Sequence, residues 1–138
     1  MNVLFLDTNH PSLISGLKSL GFTCHEDYTS SKREIEKKIH LYDGLIIRSR
    51  FTIDKNFLEK SDNLKFIGRV GAGVENIDIQ AAEKKGIVLI AAPEGNRNAV
   101  GEHALGMILA LFTKFKKADS EIRQGIWLRE DNRGIELE

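Results

Sequence analysis

Apolar residues come in short, regularly spaced runs through the first two thirds of the chain and in one long run after them. Asn2–Leu6 (NVLFL) is continuously apolar after its first residue, which predicts a strand buried on both faces. Similar runs follow at Phe22–His25, Gly44–Ile47, Leu64–Gly68 and Ile87–Ala91. Between them the period changes from strand to helix. His10–Leu20 carries Leu13, Ile14, Leu17 and Leu20 on one helical face, tolerates Pro11 in its first turn and stops at Gly21. Ser31 and Glu34 form a capping box ahead of a helix lined by Ile35 and Ile39. Asp54–Lys60 predicts a short helix, and Ile79–Lys85 another, ended by Gly86.

The strand starts recur roughly every 19 to 22 residues, one β-α unit per step. That spacing predicts an α/β fold: a flavodoxin-like, doubly wound, five-strand parallel sheet with right-handed crossovers. After the fifth strand the pattern changes. Ala99–Gln124 has no breaker except Gly101 and Gly106, and predicts one helix of about 39 Å with Asn98 as its N-cap. Leu105, Met107, Ile108, Leu109, Leu111, Phe112 and Phe115 leave few polar positions around its middle. A surface helix has one apolar stripe, so this helix is expected to be covered on more than one side, by another subunit or by parts beyond this stretch. The tail after Ile126 and Trp127 is mostly charged, and nothing in its pattern closes a domain.

Composition narrows the classes. Lys plus Arg and Asp plus Glu number 20 each, so no net charge draws the chain to nucleic acid or an anionic membrane. One cysteine, Cys24, cannot form an internal disulfide and suits a reducing compartment. The N-terminal apolar run is too short for a signal peptide, and Ala104–Phe112 is about half a bilayer span. The expectation is a soluble, cytoplasmic protein with no nucleic-acid or membrane partner.

In open parallel sheets, ligands bind outside the carboxyl ends of the strands. Strand three ends at Arg48 and Ser49, strand four at Arg69, Gly71, Ala72 and Gly73, and strand five leads to Asn96. Together they offer two guanidinium groups, a hydroxyl, small-residue backbone amides and a carboxamide, a set that suits a small carboxylate or phosphorylated acid. Each piece also has a bland reading: a tight turn at Gly71–Gly73, a solvated arginine at Arg48, turn or cap chemistry at Asn96. His10, His25, His40 and His103 lack metal-ligand spacing, so no metal site is expected. Glu102–His103 is adjacent but reads as a structural or partner contact rather than an acid–base pair. A dinucleotide fingerprint fails at its third glycine, where Asn76 stands. A phosphoacceptor reading fails as well, because Asp7 stands alone, strand three ends in Arg48 and strand five leads to Ala92–Pro93.

The segments Ile47–Ser49 (IRS), Leu64–Asp78 (LKFIGRVGAGVENID), Ala82–Ile87 (AEKKGI), Ala92–Asn96 (APEGN), Gly101–Glu102 and Gly125–Arg129 (GIWLR) resemble the D-isomer-specific 2-hydroxyacid dehydrogenases over nearly the whole chain, most closely the members that act on D-3-phosphoglycerate. The resemblance implies an NAD-dependent, two-domain oxidoreductase with substrate in the cleft, in the setting of serine biosynthesis. It implies substrate contacts from Arg48, Ser49, the Gly71–Ala72–Gly73 backbone and Asn96, with Arg69 able to supply charge nearby. Residues 1–97 would form the substrate-binding domain. Residues 98–138 would form the interdomain helix, a homodimer contact through Ala99–Gln124, and the start of a truncated nucleotide-binding domain. The family's G-x-G-x-x-G and its catalytic Arg, Glu and His lie beyond the matching region, so no catalytic and no cofactor-binding residue is expected here, and this stretch alone is expected to be inactive. Hydroxypyruvate or glyoxylate is the alternative substrate, and a non-catalytic binding or dimerisation module is the reading from another class.

Overall fold

All five strands expected from the apolar runs form, and they pair in the order β2-β1-β3-β4-β5 with every ladder parallel. They are β1 (Asn2–Phe5), β2 (Thr23–Glu26), β3 (Gly44–Ile47), β4 (Phe66–Arg69) and β5 (Val88–Ala91). The helices between them are α1 (Pro11–Ser19), α2 (Lys32–Lys38), α3 (Lys55–Glu59) and α4 (Ile79–Lys84). The computed structural model describes residues 1–137, which fall into two compact units, Met1–Gly95 and the segment from Asn96 onward.

Side-chain alternation along β1 and β3 divides the core of the first unit. Leu4, Leu6, Leu45, Ile47 and Ile67 share a cluster with Ile35 and Ile39, with Phe57 and Leu58 of α3, and with Ala82 of α4. Val3, Phe5 and Ile46 lie in a second cluster against Leu13, Ile14 and Leu17 of α1. The sheet is therefore wound on both faces, as continuously apolar central strands require. At the β5 edge the alternation leaves Val88 and Ile90 more than half exposed.

Local signals set the helix starts. The Ser31–Glu34 capping box forms in both directions, and Asp54 and Asp78 accept from the N–H groups of Phe57 (2.9 Å) and Ala81 (3.0 Å). Three strands start later than the apolar runs alone predict, β5 among them, at Val88 instead of Ile87. The run from Leu64 becomes a strand only at Phe66, because the ladder pairs Gly44 with Phe66 and Ile47 with Arg69. Arg69 is thus the last residue of β4 instead of the first residue after it. The run from Phe22 becomes β2 from Thr23, where Thr23 pairs with Asn2.

The second unit holds a long helix, α5 (Arg97–Phe112, 16 residues), and α6 (Phe115–Arg123, 9 residues). The expected uninterrupted helix over Ala99–Gln124 is broken at Lys114, which takes a left-handed φ of 53°. In a continuous helix the Phe112 carbonyl would accept from the fourth residue onward. Here it accepts from Ile135 N–H at 3.1 Å, while Lys114 Nζ donates to Asp131 O at 2.9 Å. The break comes from the returning tail and has no breaker residue in the sequence. Asn98 is also not the N-cap: α5 begins at Arg97, and Asn96 flanks it without a capping side-chain bond. No residue of α5 is buried; Leu105 (53 %), Met107 (57 %) and Leu111 (74 %) are exposed around its circumference. Among the described residues no helix is long and apolar enough to cross a membrane.

Candidate functional site

The carboxyl ends of β1, β3 and β4 meet through backbone bonds made just past the strands. Val70 N–H donates to Ile47 O (2.9 Å), so Arg48–Ser49 and Val70–Gly71 leave the sheet side by side. Ala92 N–H donates to Gly71 O (3.0 Å), which ties the end of β5 to the same turn. Five of the sequence-predicted positions beyond Arg48 itself (Ser49, Arg69, Gly71, Ala72 and Gly73) are brought together with it at this edge. Asn96 is the first residue of the second unit and is described there, at the start of α5.

The Gly71–Gly73 turn works differently from a row of three donor amides. Gly71 N–H is engaged, donating to Arg69 O at 3.0 Å, and is no ligand donor in this conformation. Its part is geometric: at φ +149° it reverses the chain where other residues rarely can. Beyond it, the N–H groups of Ala72, Gly73, Val74, Glu75 and Asn76 have no acceptor among the described residues. Successive unpartnered N–H groups at a strand end attract an anion.

Two charged side chains lie over this turn. A Cβ on Gly71 would fall 1.5 Å from Arg69 Nη1, so the guanidinium rests against the glycine. Arg69 Nε is buried without an acceptor, and Nη1 makes only a 3.4 Å contact with Val70 O. This is a cation whose hydrogen bonds are largely unmade, at the position where an anion would make them. Over Gly73, a Cβ would fall 2.2 Å from Glu75 Oε1. That carboxylate repels an anion approaching the same amides and must turn away to admit one. Arg48 and Ser49 are exposed and their side chains have no partner among the described residues.

The backbone under Arg48 is held from three directions. Arg48 N–H donates to Asp7 Oδ2 at 2.6 Å. Asn76 Nδ2 reaches Arg48 O (3.4 Å) and Phe51 O (3.3 Å). Arg50 donates to Leu6 O (3.0 Å), to Asp27 O (2.7 Å) and to Ser30 O. None of Asp7, Arg50 or Asn76 stands out in the sequence as part of a site, since their partners lie 20 to 44 residues away. Asp27, in the loop after β2, is a second fixed point. Burial disfavours its charge, but the Lys38 ammonium and the Ser30 and Thr29 N–H groups outweigh this and hold its carboxyl well below the usual range.

The edge fits no metal or nucleotide. Among the described residues no group of three His, Cys, Asp or Glu could hold a metal ion. A dinucleotide phosphate needs a helix N-terminus directly after the glycine turn, whereas α4 begins only at Ile79, after Asp78. What the edge offers is a set of groups whose chemistry suits a small anion: two arginines, a hydroxyl and a run of amides.

The family model described as "D-isomer specific 2-hydroxyacid dehydrogenase, catalytic domain" matches residues 3–130. The chain belongs to this family. It is 35% identical over 137 residues to the D-3-phosphoglycerate dehydrogenase of Archaeoglobus fulgidus, covering 99% of this chain and 26% of that protein. The human D-3-phosphoglycerate dehydrogenase is 32% identical over 135 residues, covering 98% and 25%. The chain therefore spans about a quarter of the length of the curated relatives it matches. Among solved structures, a protein of Pyrococcus horikoshii OT3 superposes with a TM-score of 0.85 at 30% identity over 91% of this chain and 38% of that one. The NAD-bound 3-phosphoglycerate dehydrogenase of Entamoeba histolytica superposes with a TM-score of 0.66 at 30% identity, covering 83% and 40%.

Proposed function

We propose that this chain is the substrate-binding part of an NAD-dependent oxidoreductase acting on the CH–OH group of a small D-2-hydroxy acid, with D-3-phosphoglycerate the preferred substrate and entry into serine biosynthesis its cytoplasmic role. The observation that carries the reading is the run of unpartnered N–H groups from Ala72 to Asn76 beside Arg69, whose guanidinium lacks acceptors, and the free side chains of Arg48 and Ser49. In this reading Arg48 binds an acidic group with two hydrogen bonds, Ser49 adds one, and the amides and Arg69 neutralise the remaining charge. Gly71 supplies the reversal that exposes Ala72 and Gly73. The resemblance adds Asn96 to the substrate contacts. NAD and the acid–base groups belong to the remainder of the enzyme, since the residues here suit neither. Residues 1–97 then serve as the substrate-binding domain and 98–138 as the connection to the nucleotide-binding domain.

The test is to express the complete reading frame and follow NAD reduction with D-3-phosphoglycerate, with glycerate and 2-hydroxy acids lacking phosphate as competitors. Arg48→Ala removes a charge-assisted contact of about 1.5–3 kcal/mol, a fall of roughly 10- to 150-fold in kcat/KM. Unchanged kcat/KM would take Arg48 out of the site. Faster turnover of a phosphate-free acid would move the enzyme to the hydroxypyruvate or glyoxylate class.

A further inference from the structure

We propose that Arg50 is a positioning residue of the acid-binding edge, which fixes the backbone of Arg48 and Ser49 without touching the ligand. The Arg48-x-Arg50 spacing invites the opposite view, two arginines reaching for one anion. The hydrogen bonds argue otherwise. Both Nη1 hydrogens are taken, by Leu6 O and Asp27 O, and Nη2 donates to Ser30 O. Leu6 follows the last residue of β1, and Asp27 and Ser30 lie in the loop between β2 and α2. Carbonyls just past a parallel strand are leaving the ladder and need donors of their own. One planar guanidinium supplies three at once, from a residue whose own segment leaves β3 next door.

The consequence falls on the two residues before it. Phe51, on the other side of Arg50, is partly buried against the core with its ring 5.9 Å from that of Phe57. Arg48 N–H is held by Asp7. In the segment 48–51 the ends are anchored by Asp7 and Phe57, Arg50 ties the middle to β1 and to the loop after β2, and the side chains of Arg48 and Ser49 stay free. Ordered backbone under a free guanidinium lowers the conformational cost of binding an acid. Lysine cannot replace this arrangement, because an ammonium is a point donor on a flexible stem and does not span three carbonyls held by two segments.

This inference rests on the reading of Arg48 as an acid-binding residue, and the experiment separates the two. In the full-length enzyme, KM for D-3-phosphoglycerate and kcat are measured for wild type, Arg48→Ala, Arg50→Ala, Arg50→Lys and the Arg48→Ala/Arg50→Ala double variant. Arg50→Ala and Arg50→Lys are each expected to raise KM about tenfold and leave kcat within about twofold, the size of effect that misplacing a binding group produces. The double variant is expected to fall well short of the product of the two single effects, because Arg50 acts through Arg48 and Ser49. Wild-type KM in Arg50→Lys would mean that charge alone matters and would overturn the proposal. Multiplying effects in the double variant would overturn it too, by making Arg50 an independent ligand contact. Wild-type KM in Arg50→Ala, with lowered thermal stability, would leave it a purely structural residue. Unchanged KM in Arg48→Ala would bring down the acid-site reading itself, and the positioning role with it. Should Arg50→Ala fail to fold, Arg50→Lys keeps the side-chain stem and charge. Hydrogen exchange of residues 48–51 in that variant must then rise at least about tenfold, and wild-type exchange would refute the positioning role.

Discussion

Gly71→Ala and Gly73→Ala add the same methyl group to the same turn, two residues apart, and the structure expects different outcomes. At Gly71 the backbone holds φ at +149°, a conformation that L-residues adopt at a cost of about 1–3 kcal/mol. The new Cβ would sit 1.5 Å from Arg69 Nη1 and 2.8 Å from its Cζ, so the guanidinium must swing aside. As the end of a flexible chain holding only a 3.4 Å contact with Val70 O, it can do so at small cost. Restricting the unfolded chain returns about 0.4–1 kcal/mol. The net loss is then about 1–2 kcal/mol, or roughly 5–15 °C in Tm for a unit of this size. Gly73 is not among the glycines with positive φ, and the nearest atoms to its Cβ would be those of the Glu75 carboxylate, on an exposed side chain that can turn into water. There the unfolded-state term stands almost alone, and the change is expected within about 0.5 kcal/mol of zero. Urea and thermal unfolding of the three proteins, followed by far-UV circular dichroism, measure the difference. A Gly71→Ala protein as stable as wild type, or a Gly73→Ala protein as damaged as Gly71→Ala, would refute the assignment of strain to Gly71.

Asp27 predicts a pH dependence with a definite sign. Its folded carboxyl stays ionised well below the usual range, while in the unfolded chain it binds a proton near pH 4. Between those points the unfolded state carries more protons, so the stabilisation is complete at neutral pH and is lost as pH falls through the acid range. The stability gap between wild type and Asp27→Asn should therefore shrink from pH 7 to pH 3, and a gap independent of pH would count against it. We further propose that α5 carries a homodimer contact, because Leu105, Met107, Ile108, Leu109 and Leu111 are exposed around it and a groove lined by Met107, Ala110, Leu111 and Lys117 runs along the second unit. Light scattering at micromolar concentration should give twice the chain mass, with Leu105→Glu and Leu111→Glu returning it to the monomer; a monomeric wild type would sink the idea. The 138-residue chain itself should not reduce NAD with D-3-phosphoglycerate, and measurable turnover would show that acid–base groups exist here after all.

Much of the fold follows from patterns a few residues long. Strand burial is written in runs such as NVLFL and GLII, and helix starts in Ser31–Glu34 and Asp54, because burial on both faces and N-capping are set by neighbours in the chain. Parallel pairing then follows from the spacing of β-α units, and with it the edge that gathers Arg48, Ser49, Arg69 and Gly71–Gly73. The glycine pair was legible as a turn, and the arginines as charges beside it.

What escaped the sequence depends on contacts between distant segments. The ladder with β3 carries β4 on to Arg69, and no propensity marks that end. Gly71 N–H is engaged by Arg69 O, which shifts the available donors to Ala72 and beyond. The helix expected over Ala99–Gln124 bends at Lys114 because Ile135 and Asp131 return to its middle, and no residue there is a breaker. Nothing in the sequence marks Arg50, whose role rests on three distant carbonyls: Leu6 O just past β1, and Asp27 O and Ser30 O in the loop after β2. The sequence by itself determined the order of the elements and which residue types stand at the strand ends, since both rest on short-range periodicity and on the rule that ligands meet a parallel sheet at its carboxyl edge. Tertiary structure alone decided which of those polar groups are free to bind, because a hydrogen-bond donor is available only when no partner from elsewhere in the chain has reached it first.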